Sequence, residues 1–369
     1  MFAFTPSFSF PLIAAFTRFS PPPPLHTFLR STGYRLRPPR PEPHLPRFTP
    51  AQARVLSYGQ AQPHQGASVL CEKRPGPTPT IVLGGFVPDA TEQVFLLRGF
   101  FLRQGSVYYL NYPRSGFSLD LLCAQLDDLV LELHVFHGQR PVLLGVSFGA
   151  GLVLEWLRRS RLSHRVDRCA GVILVSPVAC TADIVDPAVA KPATLLGRAL
   201  KPFLESGGRI EASALEKSRL IFTKMFEAGA QNKASLRSLM SAGELLRLRA
   251  AVLSSISKLD SRGACERVAA LREIPPLSPW SDSPRPLSEA PALILFAEKE
   301  DAVLAPRSPT RAALEETLPV FFPNGRAQVV SGGPTPVQHA SLIFHYFQFL
   351  PPITAFYRSL KPAKVRLAA

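Results

Sequence analysis

Cysteine is scarce in this chain of 369 residues: there are five, at positions 71, 123, 169, 180 and 265, odd in number, widely spaced and without any C-x-x-C. That excludes a disulfide framework and a cysteine-ligated zinc site, and leaves reduced, buried thiols in a cytoplasmic setting. Acidic residues are also few, 27 against 42 basic ones, for a net charge of +15 and a pI near 10.1. Residues 1–54 carry seven arginines against the single Glu42, so +6 of the +15 sits there and +9 is spread over the other 315 positions. No basic run is interleaved with aromatics, and no RNA-binding or helix-turn-helix signature occurs, so the surplus reads as solvated surface and no nucleic-acid partner is expected. No stretch of eighteen or more apolar residues is present, so no transmembrane helix is expected. A strand-linked G-x-G-x-x-G and a histidine–carboxylate cluster are both missing, so no cofactor and no metal are expected.

Proline is abundant where regular structure would be hardest to build. The first fifty residues hold twelve prolines, including Pro21 to Pro24, and residues 1–51 read as a Pro/Arg-rich disordered leader. Its first sixteen residues are apolar and aromatic, but Pro6 and Pro11 interrupt them, no basic segment precedes them and no A-x-A site follows, which does not make a secretory signal. The arginine-rich, acid-poor composition suits an organellar transit peptide, yet the prolines spoil the amphipathic helix one needs, and an exported or organellar destination stays open beside the cytoplasmic one. At 369 residues and 46% hydrophobic, the chain as a whole can bury a full core as one large domain or one domain with an insertion.

From Gln52 the pattern becomes regular. Ala53 to Tyr58 and Ala67 to Cys71 read as strands, Thr80 to Leu83 as a third ending in Gly84-Gly85-Phe86, and Gly105 to Asn111 as a fourth. The segment Leu119 to Phe136 places Leu122, Leu126, Leu129 and Leu133 on one helical face. Strands follow at Pro141 to Gly145 and Ala170 to Val175. Strands alternating with helices imply an α/β fold: a mainly parallel, doubly wound sheet over 52–176 and 290–350. Between them, 177–289 turns helical (Ala188 to Leu204, Ser213 to Ala228, Leu236 to Leu259, Ala264 to Arg272) and closes with the Pro- and Ser-rich Pro275 to Pro286, which reads as an inserted helical cap over the strand ends. The sheet resumes at Pro291 to Phe296, with a helix at Pro309 to Leu318 capped by Ser308, a last strand at Ala327 to Val330, and a closing helix at Ala340 to Leu350. Residues 351–369 read as a basic tail.

The chemistry gathers at Pro141 to Gly151, an apolar strand that stops at Gly145, offers Ser147 and resumes as a helix beyond Gly149. This G-x-S-x-G pattern is that of a nucleophile elbow, in which glycines two positions to either side relieve the crowding at a strained corner. A serine hydroxyl needs a base that titrates near neutrality, and of the eight histidines only His339 follows a late strand across a Gly-rich loop and precedes a closing helix. His345, inside that apolar helix, reads as a core residue. The imidazole needs an acidic partner, and Asp301, just past the strand ending at Phe296, is the expected one; Glu298, Glu300 and the more distant Asp183 compete. Two backbone donors are needed for an oxyanion, the N–H of Phe148 and the N–H of Phe86, the latter beside Gly84 and Gly85. The order serine, acid, histidine is that expected for such a sheet.

The elbow at Gly145 to Gly149, the Gly84-Gly85-Phe86 loop, the segment Asn111-Tyr112-Pro113-Arg114-Ser115-Gly116-Phe117-Ser118, Asp301 and Gln338-His339 together resemble the α/β-hydrolase superfamily, over about Gln52 to Leu350. Many members carry His-Gly at the oxyanion loop and histidine just before the nucleophile, where Gly84 and Val146 stand here. The resemblance implies a Ser-His-Asp mechanism under a helical cap but does not name the substrate; the expected reaction is cleavage of a small-molecule ester or thioester, with a slight preference for an apolar acyl group from a cap rich in Leu, Ala and Phe. Members that open epoxides or remove halide carry aspartate at the corner, so the serine argues against those reactions. Acyl transfer, cofactor-independent carbon–carbon hydrolysis, perhydrolysis and a non-catalytic binding module on the same scaffold stay open, as does the oligomeric state.

Overall fold

The computed structural model describes residues 41–360 except 165–167, 187, 190, 206–209, 231–235, 237–238, 278–284 and 333–334. Expectations about residues 1–40, about most of the Pro- and Ser-rich stretch before the penultimate strand, and about 361–369 of the tail lie outside the described residues.

Eight strands form one sheet in the order β1-β2-β4-β3-β5-β6-β7-β8. They are β1 (Glu42–Pro43), β2 (Ser68–Glu72), β3 (Thr80–Leu83), β4 (Val107–Asn111), β5 (Val142–Val146), β6 (Gly171–Val175), β7 (Ala292–Ala297) and β8 (Gly325–Val330). β2 runs antiparallel to β1 and β4, and every pair from β4 to β8 is parallel. The central strands are unbroken Val, Ile and Leu runs because both faces are covered. Alternate residues serve alternate faces: Ile81, Leu83 and Leu143 enter one apolar cluster, and Val82, Leu144 and Val146 the other. Burial of each such side chain contributes about 1.5–3 kcal/mol, so this sandwich is the rigid platform on which the loops stand.

One face is covered by α2 (Leu119–His137) and α3 (Phe148–Leu162), the other by α9 (Tyr346–Ser359) and the one-turn helices Ala90–Gln93 and Arg98–Phe101. The start of α2 is set by Ser118, whose Oγ accepts the Leu121 N–H, and its end by Gly138 at φ 61°. Between β6 and β7 lie α4 (Leu195–Glu205), α5 (Ala212–Gly229), α6 (Ala242–Lys258) and α7 (Ser261–Glu273), the inserted helices that the loss of alternation announced. Then α8 (Pro309–Glu316) starts with Ser308 Oγ accepting the Arg311 N–H and Pro309 in the first turn, as its sequence requires.

Three expectations are corrected. Ala53 to Tyr58 is not a strand but lies mostly within α1 (Pro50–Ser57). Asp128, buried on α2, accepts the Ala51 and Gln52 backbone N–H groups at 2.9 and 3.0 Å, a helix cap supplied from another element and invisible to local pattern. Regular structure therefore begins before residue 52, with β1 paired to β2. At the other end, residues 340–345 form turns rather than helix, and α9 extends to Ser359, well into the expected tail. The turn is held by Ser341 Oγ, 2.8 Å from His345 Nδ1, a side-chain bond that competes with helix formation. His345 itself is buried, and burial holds its imidazole below the usual histidine range.

Candidate active site

The parallel register brings the relevant strand ends together. Leu83 pairs with Gly145, Val146 with Val175, and Val175 with Leu295, so the loops after β3, β5, β6 and β7 all leave the sheet at one edge. At the end of β5, Ser147 adopts φ 53° and ψ −116°, a conformation few non-glycine residues take. The corner is too tight for side chains beside it. A Cβ on Gly145 would lie 2.5 Å from the Ala150 Cα, and one on Gly149 would overlap the Leu83 and Gly84 carbonyl oxygens. The corner is pinned by Ser147 N–H donating to the Val175 carbonyl at 2.8 Å and Val178 N–H donating to the Ser147 carbonyl at 3.1 Å. The following helix opens at Phe148, two residues earlier than its sequence suggests, so the Phe148 N–H is a first-turn donor without an intrahelical acceptor.

His339 Nε2 lies 2.9 Å from Ser147 Oγ, and His339 Nδ1 bonds Glu300 Oε2. With Nδ1–H given to the carboxylate, Nε2 is left to accept the serine proton. Asp301, the expected acid, is exposed in the turn after Glu300 and does not make this contact; the structure replaces it with Glu300, which is 3% exposed. The reason lies in the loop. Glu300 Oε1 accepts the Ala297 N–H at 2.6 Å and the Ser176 hydroxyl at 2.7 Å, which folds the glutamate back against the strand end and turns Asp301 outward. The Lys299 N–H donates to the Val337 carbonyl at 2.9 Å, a bridge that brings the Glu300 loop alongside the His339 loop. Of the other competitors, Glu298 is exposed. Asp183 is fully buried and spent on the Ala179, Cys180 and Thr310 N–H groups and the Ser308 hydroxyl.

Ser176 is a site residue that sequence reasoning missed. It sits at the end of β6 with φ 47°, orients Glu300 and accepts the Ala340 N–H at 3.2 Å, tying the acid and histidine loops together. Its only sequence signal is a serine closing the run Val-Ile-Leu-Val.

The loop after β3 is held by the segment after β4. Tyr112 donates its hydroxyl to the Gly84 carbonyl at 2.9 Å, Gly85 N–H donates to Gln93 Oε1 at 2.5 Å, and Ala90 N–H donates to Asn111 Oδ1 at 3.0 Å. Phe86 and Phe148, the residues of the two expected oxyanion donors, stand side by side with ring centroids 5.5 Å apart, and Phe222 of α5 stacks on Phe86 at 6.0 Å. Ser147 is 9% exposed. A groove of about 1320 Å³ lies instead at the β1 edge, lined by His44, Glu72, Arg98 and Tyr108 among others, and includes none of Ser147, Glu300 or His339.

The inserted helices also reach the Phe86 loop through charged groups. Arg114 donates to Asp89 at 2.6 Å, to the Val87 carbonyl at 3.1 Å and to Ser255 of α6 at 2.9 Å, and Ser255 in turn donates to Glu92 at 2.9 Å. Burial, with the neighbouring Asp89 carboxylate second, pushes Glu92 up to about 7; burial raises Asp89 too, against the opposing charges of Arg114, Arg267 and Lys258. A carboxyl raised in the folded state holds a proton that the unfolded chain has lost, so stability falls as pH rises from the unfolded carboxyl range through about 7. The loss is up to about 3 kcal/mol for Glu92. Glu92→Gln is therefore expected to melt within a degree or two of the wild type at pH 5 but several degrees above it at pH 8, read by thermal denaturation. Equal pH dependence of the two proteins would refute that assignment.

A family model described as the alpha/beta hydrolase family matches residues 94–333. Among curated proteins, none matches this chain. Solved structures with the same fold include an esterase from Exiguobacterium antarcticum (13% identity, TM-score 0.52, covering 80% of this chain and 98% of that one). An esterase from Thermogutta terrifontis is similar at 16% identity and TM-score 0.51, covering 80% and 94%. A Bacillus megaterium epoxide hydrolase is similar at 13% and 0.54, covering 80% and 98%. No helix among the described residues is long and apolar enough to cross a membrane.

Proposed function

Because this chain belongs to the alpha/beta hydrolase family, we propose that it is a serine hydrolase cleaving a carboxylic ester or thioester through an acyl-enzyme. The observation that carries the reading is His339, placed with one nitrogen 2.9 Å from Ser147 Oγ and the other on a buried carboxylate. His339 takes the serine proton as Oγ attacks the carbonyl carbon, and Glu300 stabilises the imidazolium that forms. The Phe86 and Phe148 N–H groups receive the oxyanion. His339 then protonates the leaving alcohol or thiol, and a water deprotonated by the same nitrogen releases the acid. Residues 177–289 act as the cap. Phe86 and Phe148 beside the nucleophile, with Phe222 of the insertion stacked on Phe86, favour an apolar acyl group.

A fluorophosphonate probe with an alkyl chain, followed by peptide mass mapping, tests this. Ser147 is expected to be the labelled residue, labelling is expected to be lost in His339→Ala, and a screen of 4-nitrophenyl esters is expected to show turnover that depends on chain length. A folded wild-type protein that takes no label and turns over no ester or thioester would reject the hydrolytic reading in favour of a binding role.

A further inference from the structure

Arg267, on α7 of the insertion, is fully buried, far from where an unpaired cation is comfortable. It forms no ion pair among the described residues; its guanidinium instead donates through Nη1 to the Phe86 carbonyl and through Nη2 to the Pro113 carbonyl at 2.9 Å. It lies 5.7 Å from the Phe86 ring centroid and 5.4 Å from that of Tyr112, the residue whose hydroxyl holds Gly84. Burial, reinforced by the Arg114 charge, pulls the group down to about 10, so it keeps its proton at neutral pH.

A cation is costly in such a place, and a neutral side chain would anchor the insertion to the core with less desolvation. What the cation can do that a neutral anchor cannot is hold the carbonyl of the peptide that follows the Phe86 N–H by charge-assisted bonds and set a positive charge behind the place where an oxyanion would form. We infer that Arg267 is a positioning residue for the oxyanion hole: by holding the Phe86 carbonyl the insertion restrains the residue whose N–H, in the adjacent peptide, donates, so seating of the cap and completion of the hole are one event. This rests on the hydrolytic reading above.

Arg267→Met removes both donors and the charge at similar length; Arg267→Lys keeps the charge and can satisfy one carbonyl. Loss of a group that shapes the transition state appears in kcat, whereas loss of a mere cap anchor appears in KM. For Arg267→Met, kcat on a 4-nitrophenyl ester is expected to fall about 10²-fold with KM within about threefold, and Arg267→Lys is expected to lie between it and the wild type. An alkyl trifluoromethyl ketone, whose serine hemiketal carries the oxyanion, is expected to lose affinity in each variant by the same factor as kcat/KM. If Arg267→Met does not fold by near-UV circular dichroism, Arg267→Lys carries the same comparison. Retained kcat and ketone affinity in the lysine variant, or losses confined to KM, would overturn this inference while leaving the hydrolytic reading intact. A wild type that neither labels at Ser147 nor turns over ester would overturn both.

Discussion

Glu300→Gln is expected to lower kcat by about 10⁴-fold, whereas Asp301→Asn stays within about twofold of the wild type. The glutamine is isosteric, and its carbonyl can still accept from Ala297 N–H and the Ser176 hydroxyl at the Oε1 position, so the loop keeps its shape. Its amide NH₂ then faces His339 Nδ1 and makes that nitrogen an acceptor. The imidazole proton moves to Nε2, where it points at Ser147 and cannot receive the serine proton. The loss is therefore one of tautomer and of imidazolium stabilisation rather than of fold, and the melting temperature should move by only a few degrees. Asp301 is exposed, so its amide variant changes one solvated charge. Steady-state kinetics on a 4-nitrophenyl ester with a parallel thermal melt checks both variants. The opposite pattern, a crippled Asp301→Asn beside an active Glu300→Gln, would return the acid role to Asp301.

Ser147→Gly is expected to abolish turnover, by on the order of 10⁶ in kcat, while leaving the protein as stable as the wild type or more so. The activity term follows from removing the nucleophile, and His339→Ala should cost a similar factor. The double variant should cost little more, because base and nucleophile act as one unit. The stability term follows from the corner. At φ 53° and ψ −116° a residue with a Cβ is strained by about 1–3 kcal/mol, which glycine avoids. Against this stand glycine's greater freedom in the unfolded chain, about 0.4–1 kcal/mol, and the lost hydroxyl contact to His339. A drop in melting temperature of more than a few degrees would show that the corner stores no strain.

Much of the frame was legible because its signals are local. β3 and β6 follow from short β-branched runs bounded by breakers, α2 from four leucines at helical spacing, and α8 from Ser308 followed by Pro309. The positions of Ser147 and His339, the proposed nucleophile and base, were equally plain, since the glycine spacing around Ser147 and the loop before His339 constrain the backbone in ways sequence records. The acid was not. Glu298, Glu300 and Asp301 are three carboxylates within four residues, and nothing local separates them; the choice is made by Ala297 N–H and by Ser176, which arrives from a strand 124 residues earlier in the chain. The helix at Pro50 to Ser57 was hidden in the same way, because the buried carboxylate that caps it belongs to α2.

Local pattern was enough for the alternation of strands and helices, the glycine-lined corner at Ser147 and the late loop that carries His339, since each depends on φ/ψ freedom or apolar period within a few residues. It took the packed fold to bring Glu300 to the imidazole, Ser176 to Glu300, and Arg267 of an inserted helix to the Phe86 loop. Those are pairings of buried polar groups 39, 124 and 181 residues apart in the chain, and a buried donor takes whichever acceptor the packed core brings within reach.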